Sequence, residues 1–312
     1  MRERSMIPPQ IERDASRMQA NRDELVERIL RAVGDEVRVE PLKGLHLHGE
    51  TSPTECVPSI SDPVFCVIAQ GSKEVFLGDE RYQYDPLHYL LATAELPIVS
   101  QIIEASRERP FLSLCVKLNP SLVSAVMVEA GHVASQGQAN VRAMNVSALD
   151  ANLLDAVVRL VRLLDTPNEA PFLAPLITRE IVYRLLMGEQ GDRLRQIVIQ
   201  EGPTVHIVKA IKRLRKAYDQ PLEIDDLAQD LGMSVSSFYH HFKAVTAMSP
   251  LQYQKQIRLQ EARRLMLGEG LNASSAGYQV GYNDPSHFSR DYKRLFGLPP
   301  LTDVERLQEA TG

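Results

Sequence analysis

A short apolar pattern occurs twice in the C-terminal third of this 312-residue chain, and its repetition restricts the fold more than any other feature. In the first copy Ile224, Leu227, Ala228 and Leu231 recur at helical spacing and stop at Gly232, after which Ser234 can cap a second helix. That helix carries Val235, Phe238, Phe242 and Val245 at spacings of 3, 4 and 3, which places them on one side. The opposite side presents Ser236, Ser237, His240 and Lys243, with Tyr239 on the flank. In the second copy Asn272 can cap a helix through Gln279, Val280, Gly281 and Tyr282 supply the turn, and Asp284 caps a helix with Pro285 in its first turn. Phe288, Tyr292 and Leu295 form its inner stripe, leaving Ser286, Ser289, Arg290 and Lys293 outward. Gly232 and Gly281 stand 49 residues apart, and residues 250–267 between them read as one helix closed by Gly268. At 1.5 Å per residue that helix is ~27 Å long. Two helix-turn-helix units on such a strut suit the ~34 Å repeat of successive major grooves, so one chain can address two adjacent groove segments.

The overall charge of -5 argues mildly against a nucleic-acid partner until it is divided. Residues 203–296 hold 13 Lys and Arg against 9 Asp and Glu, a surplus of +4, whereas the rest holds 22 against 31, or -9. Local potential governs attraction at screening lengths of ~8–10 Å, so an acidic chain with a basic module is compatible with binding phosphate backbones.

The same stretch, from about Val205 to Pro300, closely resembles the DNA-binding domain of the AraC/XylS family of transcription regulators. The resemblance is carried by Leu227-Ala-Gln-Asp-Leu-Gly-Met-Ser234, Phe238-Tyr-His-His-Phe-Lys243, Ser249-Pro-Leu-Gln-Tyr253, Arg258-Leu-Gln-Glu-Ala-Arg-Arg-Leu265, and Val280-Gly-Tyr282 through Phe288-Ser-Arg290 to Phe296-Gly-Leu-Pro-Pro300. It implies groove contacts from Ser236, Tyr239 and His240 in the first reading helix and from Ser286, Ser289 and Arg290 in the second, nearly the set the helical faces select. Arg290 has the chemistry for a bidentate contact to guanine, the serines offer single hydrogen bonds, and Lys243, Lys293 and Arg294 are placed as phosphate clamps. One departure is Ala276-Gly277, where the family usually has Ile-Ala; glycine weakens a helix by about 1 kcal/mol, which predicts a more plastic second unit.

The rest of the chain has a different character. Residues 1–20 read as a polar tail, and Leu25, Ile29 and Val33 lie on a helix stopped by Gly34. From about Leu42 to Leu118, runs rich in Val, Ile, Tyr and Phe separated by turn clusters predict about seven short antiparallel strands in a barrel or sandwich. Helices follow at 121–130, 149–164 and 175–187. In the second of these Leu153, Val157, Leu160 and Leu164 form a wide stripe, open to two readings: packing against the barrel, or a dimer interface. Residues 188–202 read as a linker, giving a sensor and dimerisation domain at 21–187 and a DNA-binding domain at 203–312. The segments Pro41–Leu45, Cys66–Lys73, Val75–Gly78, Tyr84–Pro86, Tyr89–Leu91 and Glu95–Ile98 resemble the cupin-like N-terminal domain of AraC-type regulators, which implies an effector-sensing barrel. The expected fold class is α+β: a cupin-like antiparallel barrel with helices, then an all-α module.

Candidate effector residues are His48, Cys66, His88 and Tyr89. His46 and His48 share one face of a strand opposite Leu45 and Leu47, but Ser52 and Pro53 stand where a metal-binding cupin would continue its motif, so no metal or other cofactor is expected. Cys56, Cys66 and Cys115 are too few for a disulfide framework, and their odd number points to reduced thiols in the cytosol. The charged N-terminus lacks an export signal and no apolar run approaches ~18 residues, so a cytoplasmic location away from membranes is expected. No nucleophile elbow, phosphate loop, dinucleotide fingerprint or zinc-protease motif supports an enzyme. The reading is a sequence-specific transcriptional regulator, with activation favoured over repression. Its expected partners are double-stranded promoter DNA, RNA polymerase, an unknown small-molecule effector and a second copy in a homodimer. The alternatives are a cupin metalloenzyme fused to a DNA-binding tail, and a dimeric regulator without an effector.

Overall fold

The computed structural model describes residues 9–131, 142–195, 197–198 and 203–309; the first eight residues of the expected tail, residues 196 and 199–202 of the expected linker and the last three of the chain lie outside them. The polar-tail reading needs correction, because helix α1 spans Pro9–Val33 and begins well inside that segment. Its stripe of Leu25, Ile29 and Val33 is buried, and Gly34 closes it at φ +56.

Among the described residues ten strands follow in order: β1 (Arg38–Leu42), β2 (Leu45–Glu50), β3 (Val57–Ser61), β4 (Val64–Gln70), β5 (Ser72–Leu77), β6 (Glu80–Tyr84), β7 (His88–Ala92), β8 (Leu96–Glu104), β9 (Phe111–Lys117) and, after helix α2 (Pro120–Glu129), β10 (Met144–Ala148). They form two antiparallel sheets, β1-β2-β9-β4-β7-β10 and β3-β8-β5-β6, and do not close into one continuous barrel. Eight of them, β2 to β9, lie in the stretch expected to hold about seven; β1 precedes it, and β10 comes from beyond α2 and is defined by its pairing to β7, Met144 opposite Ala92 through Ala148 opposite His88. Such long-range pairing leaves no local signature in five residues.

Strand alternation sorts the side chains into layers. On β4, Phe65, Val67 and Ala69 join the core beneath the helices, whereas Val64, Cys66 and Ile68 face the space between the sheets. The helical layer is α1 with α3 (Ala151–Arg162), α4 (Ala170–Met187) and the short α5 (Gly191–Arg195). Asp150 caps α3 by accepting from the backbone N–H of Asn152 and Leu153. The dimer reading of its stripe is not supported: Leu153, Val157 and Leu160 are buried within this chain, Leu164 is packed beside them, and α1 and α4 cover the helix from both sides. A face filled by its own chain cannot also meet a partner.

The C-terminal module consists of α6 (Pro203–Lys216), α7 (Ile224–Asp230), α8 (Val235–Thr246), α9 (Pro250–Gly268), α10 (Ala273–Gln279), α11 (Pro285–Phe296) and α12 (Pro300–Glu309). Ser234, Ser249, Asn272 and Asp284 each cap the helix they precede, and Ser249 forms a full capping box with Gln252. Among the described residues no helix is long and apolar enough to cross a membrane.

Candidate nucleic-acid interface and the cavity between the sheets

The two reading helices are α8 and α11. Phe238, Phe242 and Val245 anchor α8 in the core, and Phe288 and Tyr292 anchor α11. Those anchors leave Ser236, His240 and Lys243 exposed on α8 and Ser286, Arg290, Lys293 and Arg294 exposed on α11, with Tyr239 and Ser289 half-buried at the edges. His287, also exposed, lies in the same first turns of α11 and was not singled out from the sequence, because the helical face was drawn through the serines on either side of it. The Arg290 Nε donates to the Ser286 carbonyl at 3.3 Å, which lays the guanidinium along the outer face of the helix.

The frame that holds both readers is built around α9. Arg258 donates to the carbonyls of Tyr218 and Gln220 ahead of the first unit and, through Nη1, to that of Gly281 in the second turn. Gly281 sits at φ +87 against the Asp219 carbonyl. Farther along α9, Arg263 meets the fully buried Asp303 of α12, with Nη2 donating to Oδ1 at 2.9 Å and Nε 2.8 Å from Oδ2; the Tyr292 hydroxyl donates to Asp303 at 2.9 Å. Gly277 has a role other than the plasticity its helix propensity suggested. It is buried, and a Cβ there would lie 3.0 Å from the Phe288 ring, so glycine lets α10 approach α11 closely.

The first unit is docked on the sheets. Arg142 donates to the Lys243 and Ala244 carbonyls at the end of α8 and also contacts Glu80, and the Ala143 N–H donates to the Val245 carbonyl at 3.1 Å. The Tyr253 hydroxyl donates to the Glu95 carbonyl at 2.9 Å and Gln260 to the Ser59 carbonyl at 3.1 Å. One apolar cluster runs without a break from Val64, Leu90 and Met144 into Phe238, Phe242 and Tyr253. The second unit has a separate core, around Phe288 and Tyr292.

Between the sheets lies a cavity of about 410 Å³. His46, His48, Cys66 and Leu90 line it from the six-stranded sheet, and Lys73, Val75, Tyr84 and Ile102 from the other. Burial, with Lys73 and Arg38 adding to it, pulls the His48 imidazole down to about 4, and burial pushes the Glu50 carboxyl up. The Lys73 ammonium, desolvated and near Arg38, is pulled down to about 8. A lysine whose pKa is depressed on folding disfavours the folded state while it is charged, and this penalty fades as pH rises from about 8 towards the ordinary 10.5.

The candidate effector residues separate here. His48 and Cys66 line the cavity; His88 and Tyr89 do not. Tyr89 points the other way on β7 and packs edge-on against Phe65 in the helix-side core, while His88, at the strand start, is held by Asp85 at 2.8 Å. The reduced-thiol expectation is also corrected. Cys66 and Cys115 are directly opposite across β4 and β9 and form a disulfide, and Cys56 is the free, exposed cysteine. Register over 49 residues of separation is invisible to a count of cysteines. Lys73 was missed because it stands in an alternating strand where an outward lysine is the ordinary reading. Among the described residues no group of three or more His, Cys, Asp or Glu is arranged to hold a metal ion.

Residues 41–193 match the model of the AraC-type transcriptional regulator N-terminus, and residues 227–306 match a helix-turn-helix domain. The chain belongs to the AraC family of transcriptional regulators. Among curated AraC-family relatives, the transcriptional regulator ExsA of Pseudomonas aeruginosa is 24% identical over 148 residues, 47% of this chain and 53% of that protein. The transcriptional activator RhaS of Escherichia coli is 23% identical over 150 residues, 48% of this chain and 53% of that protein. The chain thus spans about half the length of these relatives. Solved structures of ToxT from Vibrio cholerae share the fold over more of the chain. Apo ToxT has a TM-score of 0.52 at 12% identity, covering 85% of this chain and 98% of that one. ToxT bound to an unsaturated fatty acid has a TM-score of 0.53 at 11% identity, covering 82% and 92%. The mixed α+β architecture, two cupin-like sheets followed by a helical double reader, is therefore an AraC-family fold.

Proposed function

We propose that this chain is a sequence-specific, DNA-binding transcriptional regulator, and not an enzyme, whose N-terminal cavity takes a small-molecule effector. The observation that carries the reading is the pair of capped helix-turn-helix units fixed on α9, each with its polar face in solvent. Family membership supports promoter DNA as the partner, with RNA polymerase recruited there in the cytoplasm. The cavity and the apolar cluster that joins its wall to α8 support effector control. A ligand that binds one arrangement of sheets and readers better than another would shift the population towards it.

Within this reading Ser236, Tyr239, His240, Ser286, Ser289 and Arg290 face bases, and Lys243, Lys293 and Arg294 face phosphates. Arg290→Ala is expected to weaken binding to the specific site by about 1–3 kcal/mol and to relax one base position, while Lys293→Ala weakens all sequences alike. Competition binding against single-base variants of the site checks this, and unchanged discrimination by Arg290→Ala would remove Arg290 from the base-reading set.

A homodimer would double the site and add avidity. With the α3 stripe buried, we place the second copy on the outer face of α4, where Phe172, Leu176 and Tyr183 are exposed side by side. Sedimentation equilibrium is expected to give a dimer mass that Leu176→Glu converts to the monomer mass; a wild-type monomer at all concentrations would exclude this contact.

A further inference from the structure

We propose that the Cys66–Cys115 pair on the cavity wall is a reversible redox site, opened by a low-molecular-weight thiol at the Cys115 sulfur and closed again by a hydroperoxide, with His46 taking the Cys115 proton. The inference rests on the reading of the chain as a regulator that works beside DNA, and it adds a covalent input that the effector reading does not contain.

Disulfides are rare where proteins act on DNA, because the thiol pool there keeps cysteines reduced, and those that do form are mostly transient, catalytic or redox-sensing. The strands that carry this pair are fixed without it: β4 and β9 are joined by their ladder, and β9 is held on its other edge by β2. When the bond opens, the thiols therefore stay side by side and can close again. Register gives the two sulfurs different neighbours. His46, Cys115, Cys66 and Leu90 stand opposite one another in a row over β2, β9, β4 and β7, and all four line the cavity. Cys66 is 6% exposed and has Leu90 beside it, whereas Cys115 is half-buried and has His46 beside it. His46 Nε2 is buried with no hydrogen-bond partner among the described residues, and Nδ1 faces the Glu40 carboxylate at 3.9 Å. Burial holds this imidazole towards its neutral form, which can accept a thiol proton. Arg38, Lys73 and Lys117 line the cavity against Glu50 and Asp62, a surplus of one positive charge that stabilises negative charge on the Cys115 sulfur.

Size selects the reactants. Both sulfurs lie inside a cavity of about 410 Å³, which admits small molecules and excludes a protein thiol. In the opening step a thiolate attacks the Cys115 Sγ, the S–S bond breaks, and Cys66 leaves as a thiolate that takes up a proton. A second small thiol then displaces the first from Cys115, which leaves two cysteine thiols and releases the small-molecule disulfide. In the closing direction His46 accepts the Cys115 proton and the thiolate attacks one oxygen of the hydroperoxide. The O–O bond breaks, the leaving oxygen departs with a proton as an alcohol or water, and Cys115 becomes a sulfenic acid. The Cys66 sulfur attacks it and expels water, so two electrons pass from the dithiol to the peroxide and the disulfide is restored.

Counting free thiols in the full-length protein tests the assignment. The folded protein is equilibrated in glutathione buffers, capped with iodoacetamide and measured by mass spectrometry, with the exposed Cys56 as internal standard. One cap is expected in oxidising buffer and three in a buffer poised like a cytosolic glutathione pool. Hydrogen peroxide added in stoichiometric amount to the reduced protein should return it to one cap. In Cys66→Ser the sulfenic acid has no partner, so a dimedone probe is expected on the Cys115 peptide. His46→Gln should slow alkylation of reduced Cys115 about tenfold at neutral pH and shift its pH profile to higher pH, with Glu40 and the charged groups of the lining left in place. Thermal midpoints establish that each variant folds, and the wild-type cap counts do not depend on them. A bond that opens only in urea, three caps remaining after peroxide, dimedone on Cys66 in Cys115→Ser but not on Cys115 in Cys66→Ser, or an unchanged profile in folded His46→Gln would overturn the proposal. Binding of the wild type to its promoter is measured separately; failure there would count against the regulator reading and leave the thiol chemistry standing.

Discussion

Replacing Asp303 with alanine is expected to destabilise the C-terminal module by about 3–5 kcal/mol, the usual effect of removing one partner of a buried ion pair. Asp303 is fully buried and accepts from Arg263 and from the Tyr292 hydroxyl, so three helices, α9, α11 and α12, converge on one carboxylate. Without it the guanidinium, 14% exposed and stacked at 4.4 Å over the Phe296 ring, remains in a low-dielectric site with no anion. Arg306 also loses a neighbour at 3.5 Å, a minor effect at its exposed position. Urea unfolding followed by circular dichroism measures the change, and Asp303→Asn separates charge from shape: it should recover the packing but not the pairing. A loss below about 1 kcal/mol in Asp303→Ala would mean that Arg263 finds water, and that the carboxylate is not what fixes α11 on α9. Because α11 carries Arg290, the specific DNA affinity should fall with the stability.

Gly281→Ala is expected to be of similar size, roughly 3 kcal/mol, for a different reason. A Cβ at Gly281 would lie 2.0 Å from the Asp219 carbonyl oxygen and 2.9 Å from Arg258 Nη2, and φ is +87, so overlap with backbone adds to left-handed strain. Relief requires the 218–220 loop to move, which breaks the bonds Arg258 makes there. Gly232 provides the internal comparison. Its φ is +67 but nothing lies within 4 Å of the added Cβ, so Gly232→Ala should show only the backbone strain, roughly 1–2 kcal/mol. Equal midpoints for the two variants in thermal unfolding would refute the proposed contact between the second turn and the loop ahead of the first unit.

This pair of glycines illustrates how much was legible in the chain itself. Both turns, the capping residues Ser234, Asn272 and Asp284 and the inner stripes of α8 and α11 followed from side-chain type and spacing, because a helix-turn-helix is determined by contacts within about twenty residues. The outward faces followed from the same periodicity, and the structure leaves Ser236, His240, Lys243, Ser286, Arg290 and Lys293 in solvent, with Ser237 and Ser289 half-buried. That Gly281 is pressed against Asp219 while Gly232 is free depends on how α9 folds the second unit back on the first, and no local pattern distinguishes them.

The N-terminal half was legible in class but not in pairing. Alternating runs announced antiparallel strands, yet β10, the Cys66–Cys115 disulfide and the cavity all arise from strands brought together across long stretches of chain. Tyr89 and Leu90 are adjacent and similar in hydropathy, and only the position of β7 in its sheet sends Leu90 to the cavity and Tyr89 to the helices. The same reason explains the α3 stripe: its spacing left it open to the barrel or to a dimer partner, and tertiary packing decided that α1 and α4 of this chain cover it. The amino-acid sequence by itself therefore determined the double reader, its caps and turns and its polar faces, since these are short-range consequences of side-chain chemistry. Only the tertiary structure decided which apolar faces are consumed, which cysteines meet and that Lys73 lines the cavity, because those are set by strand register and helix docking, which depend on the whole chain at once.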